Sequence, residues 1–165
     1  MSLTATVLRV RPHREHDKLY TVYTKERGKL TVLGIGTAKI TSKLAGHLGY
    51  FFVSEVRTVP ARVWEKLTGA EIIENFSSLH QASATLGMGF YILELVDVLT
   101  KENHPDPALW DLLIAALRSL HVGDDPKDVR SRFEHEVVVA LGEQPPLLEH
   151  INRELKSLRW LAEPL

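Results

Sequence analysis

Glu134-His135-Glu136 is the most reactive-looking tripeptide in the chain, but its spacing does not suit catalysis. A helix-borne zinc hydrolase needs two histidines one turn apart, as in HExxH, whereas adjacent helical residues point in different directions. His121, Asp124, Asp125 and Asp128 hold enough donor atoms for a metal. Clustered around Gly123, they read instead as a helix end, a turn and a cap. No Gly-x-Ser-x-Gly elbow occurs, and GIGTAKITSK lacks the spacing of a phosphate-binding loop. The chain has no cysteine, which removes disulfides, thiolate nucleophiles and cysteine-based zinc sites. These motifs give an enzyme no support, and neither a cofactor nor a metal is expected.

The remaining pointed chemistry is positive charge. Arg9, Arg11, Arg14, Lys18, Lys25, Arg27, Lys29, Lys39 and Lys43 stand against three acids before residue 50. Residues 1–70 carry 12 Lys+Arg and 5 Asp+Glu, a net +7, while residues 71–165 carry 8 and 16, a net −8. The formal total of −1 therefore hides a basic half and an acidic half, a pattern that suggests two domains with different partners. Clustered cations near backbone-exposing glycines suit phosphate. The candidate contacts are Lys39 and Lys43 on a basic connection, Arg11 and Arg14 on a loop after the first strand, and Lys25, Arg27 and Lys29 at a turn. Tyr20 is the candidate aromatic for stacking on a base.

Elements must position these groups, and the basic half reads as strands. Thr4 to Val10 alternates, with Ala5, Val7 and Arg9 on one side, and RPHREHDK follows as a loop. LYTVYT and LTVLGIG are strands around the KERGK turn, where Gly28 supplies a backbone shape that other residues resist. Gly34 and Gly36 are expected on one face of a strand end, allowing a bulge or a close approach. TAKITSKLAG reads as a connection with at most one helical turn. HLGYFFVSEVRTV and part of ARVWEKLTGAEIIEN complete five strands. Five short strands fit a small closed barrel of the OB type, with an SH3-like barrel as the rival.

The acidic half reads as helices. Asn75 or Ser78 is the expected cap of a run from Leu79 to Leu99, interrupted by Gly87 and Gly89. Asp106-Pro107 opens a second helix with Leu109, Leu112, Leu113, Ala116, Leu117 and Leu120 as its apolar face, and Gly123 stops it. Asp128 begins a third, with Phe133, Val137, Val138, Ala140 and Leu141 in the core and Gly142 at its end. LLEHINRELKSLRWLA forms a last amphipathic helix. Trp110 and Trp160 are expected to be packing residues. The expected class is α+β: a five-stranded OB-type barrel over residues 1–74, then a helical domain over 75–165. The N-terminus has no signal core and no run is long enough to span a membrane, so a cytoplasmic protein is expected.

Taken in order, these pieces resemble the RecO family of bacterial DNA-repair and recombination mediators. The resemblance begins at ATVLRVRPHREHDKLYTVYTKERGKLTVLGIG and continues through AKITSKLAGHL, where Ser42-Lys43-Leu44-Ala45-Gly46-His47-Leu48 is an altered form of the family's pattern. It resumes at YILELVDVLTKENHPDPALWDLLIAALRSL, with a weaker echo in RFEHEVVVALGEQPPL. The family is usually longer, and many members carry a four-cysteine zinc module after the segment matching Gln144-Pro145-Pro146. This cysteine-free chain reads as a shortened form, and zinc is not carried over.

The resemblance implies a non-catalytic mediator. It would bind single-stranded DNA, promote annealing, and help a RecR-type partner load the RecA recombinase. It further implies a nucleoid-associated protein whose helical domain receives the acidic, apolar tail of the single-strand-binding protein. Arg118, Arg130 and Arg132 are the candidate rim of that pocket. The alternative is a protein-interaction adaptor of the recombination machinery that has lost stand-alone DNA binding.

Overall fold

The computed structural model describes residues 1–142, in two compact units. One comprises Met1–Asn75 together with Thr100–Asp106; the other comprises Phe76–Leu99 and the chain from Pro107 onward. The boundary lies at residues 75 and 76, but the helical stretch is not continuous as a unit, because Thr100–Asp106 belongs with the barrel.

The first unit is a closed five-stranded barrel in the order β1-β2-β3-β5-β4, followed in the chain by three helices, consistent with the expected OB-type architecture. The strands are β1 (Ser2–His13), β2 (Asp17–Thr24), β3 (Gly28–Gly34), β4 (Phe52–Val59) and β5 (Glu65–Asn75). Leu3, Ala5, Val7, Tyr20, Val22, Leu30, Val32, Leu48, Val56 and Leu67 form the core. All neighbouring strands are antiparallel except the β3–β5 seam, where Val32 is registered with Glu65 and Leu33 with Lys66.

β1 departs from expectation twice. Its register with β2 shifts between Val7 and Arg9. This bulge changes the inward phase, so Val10 packs on the core and Arg9 is exposed. The strand also runs on through Arg11 and Pro12 to His13, where a loop is expected. Proline is tolerated because β1 pairs with β4 only from Ser2 to Thr6, so a missing N–H at Pro12 removes no bond to β4.

Two glycines have separate reasons. Gly28 has φ +72°, and a Cβ there would lie 2.3 Å from the His104 carbonyl oxygen. Gly34 ends β3 and lies against the Tyr20 ring and Thr37, where a Cβ would come within 2.8 Å of both. Gly36 is not on the strand with Gly34; it lies in the following turn. β4 starts only at Phe52, because His47 closes a short 3-10 turn and Phe51 has φ +68°.

Arg27 and Glu65 tie the seam. Arg27 Nη1 donates to Glu65 Oε1 at 2.6 Å, and Thr58 Oγ1 donates to Glu65 Oε2 at 2.7 Å. Burial pushes the Glu65 carboxyl up, but the bonds from Arg27 and Thr58 outweigh it and hold the group below the ordinary carboxylate range.

In the second unit, a 3-10 turn at Ser77–Gln81 precedes α1 (Ser83–Leu99), α2 (Pro107–Val122) and α3 (Pro126–Leu141). Asn75, expected as a helix cap, is the last residue of β5, and the 3-10 turn follows Phe76. Gly87 and Gly89 sit inside α1 without breaking it, and Gly89 is buried. α3 begins at Pro126 rather than Asp128, since the Asp125 side chain accepts from the Lys127 N–H and proline suits the first turn. Gly142 ends it in the left-handed conformation. Val129, Phe133 and Val137 are the buried residues of α3, while Ala140, expected in the core, is exposed. Trp110 is buried in α2. Trp160 and the expected last helix lie outside the described residues.

Two outcomes follow for stability. Gly28→Ala is expected to cost about 2 kcal/mol or more, combining left-handed strain of roughly 1–2 kcal/mol with a backbone clash. Differential scanning calorimetry would read this as a fall of about 4–8 °C in Tm. Gly36→Ala, with the same sign of φ but no atom within 4 Å of its Cβ, should lose only the strain. Because the Glu65 pKa is lowered on folding, its contribution is fully present above the unfolded carboxylate pKa and is lost as pH falls through the folded value. The urea-midpoint difference between wild type and Glu65→Gln should therefore be constant near neutrality and shrink in acid.

Candidate nucleic-acid interface

The nine N-terminal cations do not form one patch. β2 separates two groups, and its eight residues span about 23 Å. Lys25, Arg27 and Lys29 lie at the β2–β3 turn, among acids that already have partners. Arg27 pairs with Glu65, Glu26 accepts from the Thr4 N–H at 2.9 Å, and Glu102 accepts from Thr31 Oγ1 at 2.9 Å. Lys25 is exposed, and Lys29 is half-buried. Arg27 also donates to Asn103 Oδ1 at 3.2 Å, so much of its donor capacity serves the fold.

The segment Thr100–Asp106 lies along this part of the barrel. Asn103 N–H donates to the Lys29 carbonyl at 2.9 Å, and Glu102 pairs with Lys29 as a parallel bridge. Asp106 lies beside Tyr23, whose hydroxyl is pushed up in pKa by burial and by that carboxylate's charge. In OB barrels, oligonucleotides commonly lie on the face of strands 2 and 3 and the flanking loops. Here every residue of β2 from Leu19 to Thr24 is buried, and Thr100–Asp106 runs beside the start of β3, bridged at Lys29. The loops at the other end are what remain open.

Those loops are held together by backbone and side-chain bonds. Asp17 Oδ1 accepts from the Gly36 N–H at 2.8 Å, and the His16 carbonyl accepts from the Ala38 N–H at 2.9 Å. The β1–β2 hairpin tip, carrying Arg14 at φ +54°, is thereby stapled to the start of the β3–β4 connection. Thr37 Oγ1 donates to the Gly34 carbonyl at 2.8 Å and also bonds the Tyr20 side chain. Lys39 and Lys43 follow on successive turns, with the Ser42 N–H donating to the Lys39 carbonyl and Ser42 Oγ accepting from the Ala45 N–H. From the third side, Trp64 ends the β4–β5 connection and meets His13 of β1 edge to face, with centroids 5.2 Å apart and planes at 80°.

Arg11, Arg14, Lys39 and Lys43 are exposed and make no side-chain ion pair among the described residues. Lys18 is half-buried beside them, registered with Pro12 and Gly34. Opposing them are Glu15, which lies 3.9 Å from His16, and Asp17, which is engaged by Gly36. Such a surplus of hydrated cations on the β1–β2 hairpin and the β3–β4 connection can bind phosphates and release their counterions. Arg11 projects from a strand rather than a loop.

Tyr20 requires a correction. Its ring is 2% exposed and belongs to the barrel core, so it offers no surface for stacking. Burial raises its hydroxyl pKa, partly opposed by the bond to Thr37. Its place is structural, at the root of the basic connection. His13 and Trp64, paired at this end of the barrel, and exposed Arg62 were not singled out from the sequence, where Arg62, Val63 and Trp64 stand in succession after Pro60.

The helical arginines also separate. Arg130 Nε donates to Glu134 Oε1 at 2.8 Å, and its guanidinium lies 4.9 Å from the Tyr91 ring centroid. Tyr91 also donates to Glu134. These partners hold the Arg130 pKa above its ordinary value despite burial. Arg130 therefore locks α1 to α3 and is not a pocket rim. Arg132 does border a groove of about 240 Å³ between α2 and α3, lined also by Leu112, Ala116, Val129, Phe133 and Glu136. Arg118 is exposed on α2 and is not among the groove's lining residues. His121 meets Ser78 at 2.5 Å, Asp125 caps α3, and Asp124 lies 3.6 Å from Arg132, so three of the four residues once read as donor atoms have partners in turns and caps.

The sequence comparisons agree with this order of units. A family model described as recombination protein O N terminal matches residues 1–76, and one described as recombination protein O C terminal matches residues 80–159. The chain is 33% identical over 141 residues to the DNA repair protein RecO of Listeria monocytogenes serotype 4b, covering 86% of this chain and 55% of that protein. It is 34% identical over 143 residues to the protein of the same name from Pelotomaculum thermopropionicum, covering 87% and 56%. The protein of that name from Dehalococcoides mccartyi is 29% identical over 148 residues, covering 90% and 58%. The chain thus spans a little over half the length of these curated relatives. With both halves matched in order across a closed barrel and the helices that follow it, the chain belongs to the RecO family of recombination proteins.

Proposed function

We infer that this protein is a DNA repair and recombination mediator that binds single-stranded DNA through the loop end of its barrel, promotes annealing, and helps a RecR-type partner load the RecA recombinase. The observation that carries this reading is the convergence of Arg11, Arg14, Lys18, Lys39 and Lys43 on stapled connections, with Glu15 and Asp17 as their acidic neighbours. Neutralising phosphates on two strands lowers the repulsion that opposes their pairing. No covalent bond changes in this role, so it requires no nucleophile or hydrolysed nucleotide. Among the described residues no helix is long and apolar enough to cross a membrane, and nucleoid association follows from the DNA-bound role.

A second reading, the adaptor without autonomous DNA binding, draws on the α2–α3 groove. Its apolar lining with Arg132 at the rim suits an acidic, apolar peptide such as the tail of the single-strand-binding protein, although Glu136 opposes it.

Fluorescence anisotropy with a labelled single-stranded oligonucleotide tests the first reading. Binding should weaken with salt, and Lys39→Glu/Lys43→Glu should reduce the slope of log K against log salt by about 1.4, at about 0.7 per lost single-strand phosphate contact. No wild-type binding at low salt would reject stand-alone DNA binding. For the groove, a labelled acidic-apolar tail peptide should bind the wild type and lose affinity about tenfold or more with Arg132→Glu, a charge reversal at an exposed rim. An unchanged affinity would remove the groove from the interaction.

A further inference from the structure

We propose that Trp64, presented by its edge-to-face pairing with His13, is the base-stacking residue of the loop-end interface, so that the site takes unpaired nucleobases as well as phosphates; this rests on the DNA-binding reading above. Neither ring belongs to the barrel core, and both are only half-buried. By contrast Trp110 is 5% exposed, and the tyrosines of β2 are 2% and 0% exposed. A tryptophan left partly in water at the end of a connection retains apolar area that a flat ligand would cover. The geometry leaves room for one, because a T-shaped pair uses the edge of one ring and one face of the other.

The surroundings match a nucleotide rather than an apolar peptide. Arg62 and Val63 immediately before Trp64 are exposed. After the β1 bulge, Arg11 and His13 project from the same side of the strand, about 7 Å apart. Beyond His13 follow Arg14 and, through the Asp17–Gly36 and His16–Ala38 bonds, the lysine-bearing connection. An aromatic ring bordered by cations on two sides is the arrangement that holds a base and its flanking phosphates. β3 carries no aromatic residue, and the burial of β2 leaves neither of its tyrosines available for the same task.

The test uses the full chain with a single-stranded deoxythymidine oligonucleotide and a length-matched oligonucleotide of abasic sites. Intrinsic tryptophan fluorescence of the wild type should be quenched by the thymidine strand and much less by the abasic one. Trp64→Phe should abolish that quenching while retaining most affinity. Trp64→Ala should weaken thymidine binding by about 5- to 150-fold, the range of one lost base stack. It should leave the salt slope and abasic binding near wild type, which separates it from a charge variant or a misfolded chain. Wild-type binding with quenching that persists in Trp64→Phe, or affinity for thymidine unchanged in Trp64→Ala, would overturn the stacking role alone. Absence of binding to either strand would overturn it together with the DNA-binding reading.

Discussion

The barrel depends on a short parallel seam. β3 and β5 meet through two registered pairs, far fewer than any antiparallel neighbour supplies, and without them the sheet would be open with two exposed edges. Glu65 stands at that seam and is gripped by Arg27 from the β2–β3 turn and by Thr58 from β4. The carboxylate is partly withdrawn from water, and the charge-assisted bonds compensate for that. A cation that sequence alone would offer to DNA is therefore needed for closure, which explains why the basic residues divide into two sets with different duties.

Closure also dictates where a ligand can approach. With Leu19–Thr24 of β2 buried and Glu102 of Thr100–Asp106 bridged in parallel to Lys29 at the start of β3, the strand surface open in many such barrels offers little free area. Gly28 permits that close approach, since the His104 carbonyl occupies the space of a side chain. The connections at the far end carry Arg14, Lys39 and Lys43, all exposed. They are ordered by their own bonds: Asp17 to Gly36, His16 to Ala38, and Tyr20 through Thr37. Pre-ordering of this kind reduces the entropy lost when several cations engage one strand.

The helical unit follows the same logic on a smaller scale. Tyr91, Arg130 and Glu134 join α1 to α3 by hydrogen bonds and a cation over a ring, while Leu113, Leu117, Phe133 and Val137 supply apolar burial. A charged residue on a helix can thus be part of the packing; Arg130 is held by neighbours one turn away and on another helix, whereas Arg132 stays at a groove edge.

The strand-forming content of LYTVYT and LTVLG, the Gly28 turn and the Pro107 and Gly142 boundaries were legible in the sequence because each is a local steric or conformational effect. So was the concentration of cations before residue 50, which no folding can alter. Local pattern could not reveal the bulge after Val7, which reversed the facing of Arg9 and Val10, because a register shift depends on the partner strand. Nor could it show that Tyr20 lies in the core, or that Arg27 and Arg130 are tied to carboxylates, since those partners are 38 residues away in one case and shared with another helix in the other. The sequence by itself determined which charges and rings exist and which segments are strands or helices. Only the tertiary structure decided which of them face water together, because barrel closure brings distant connections to one end and consumes the rest in holding the barrel shut.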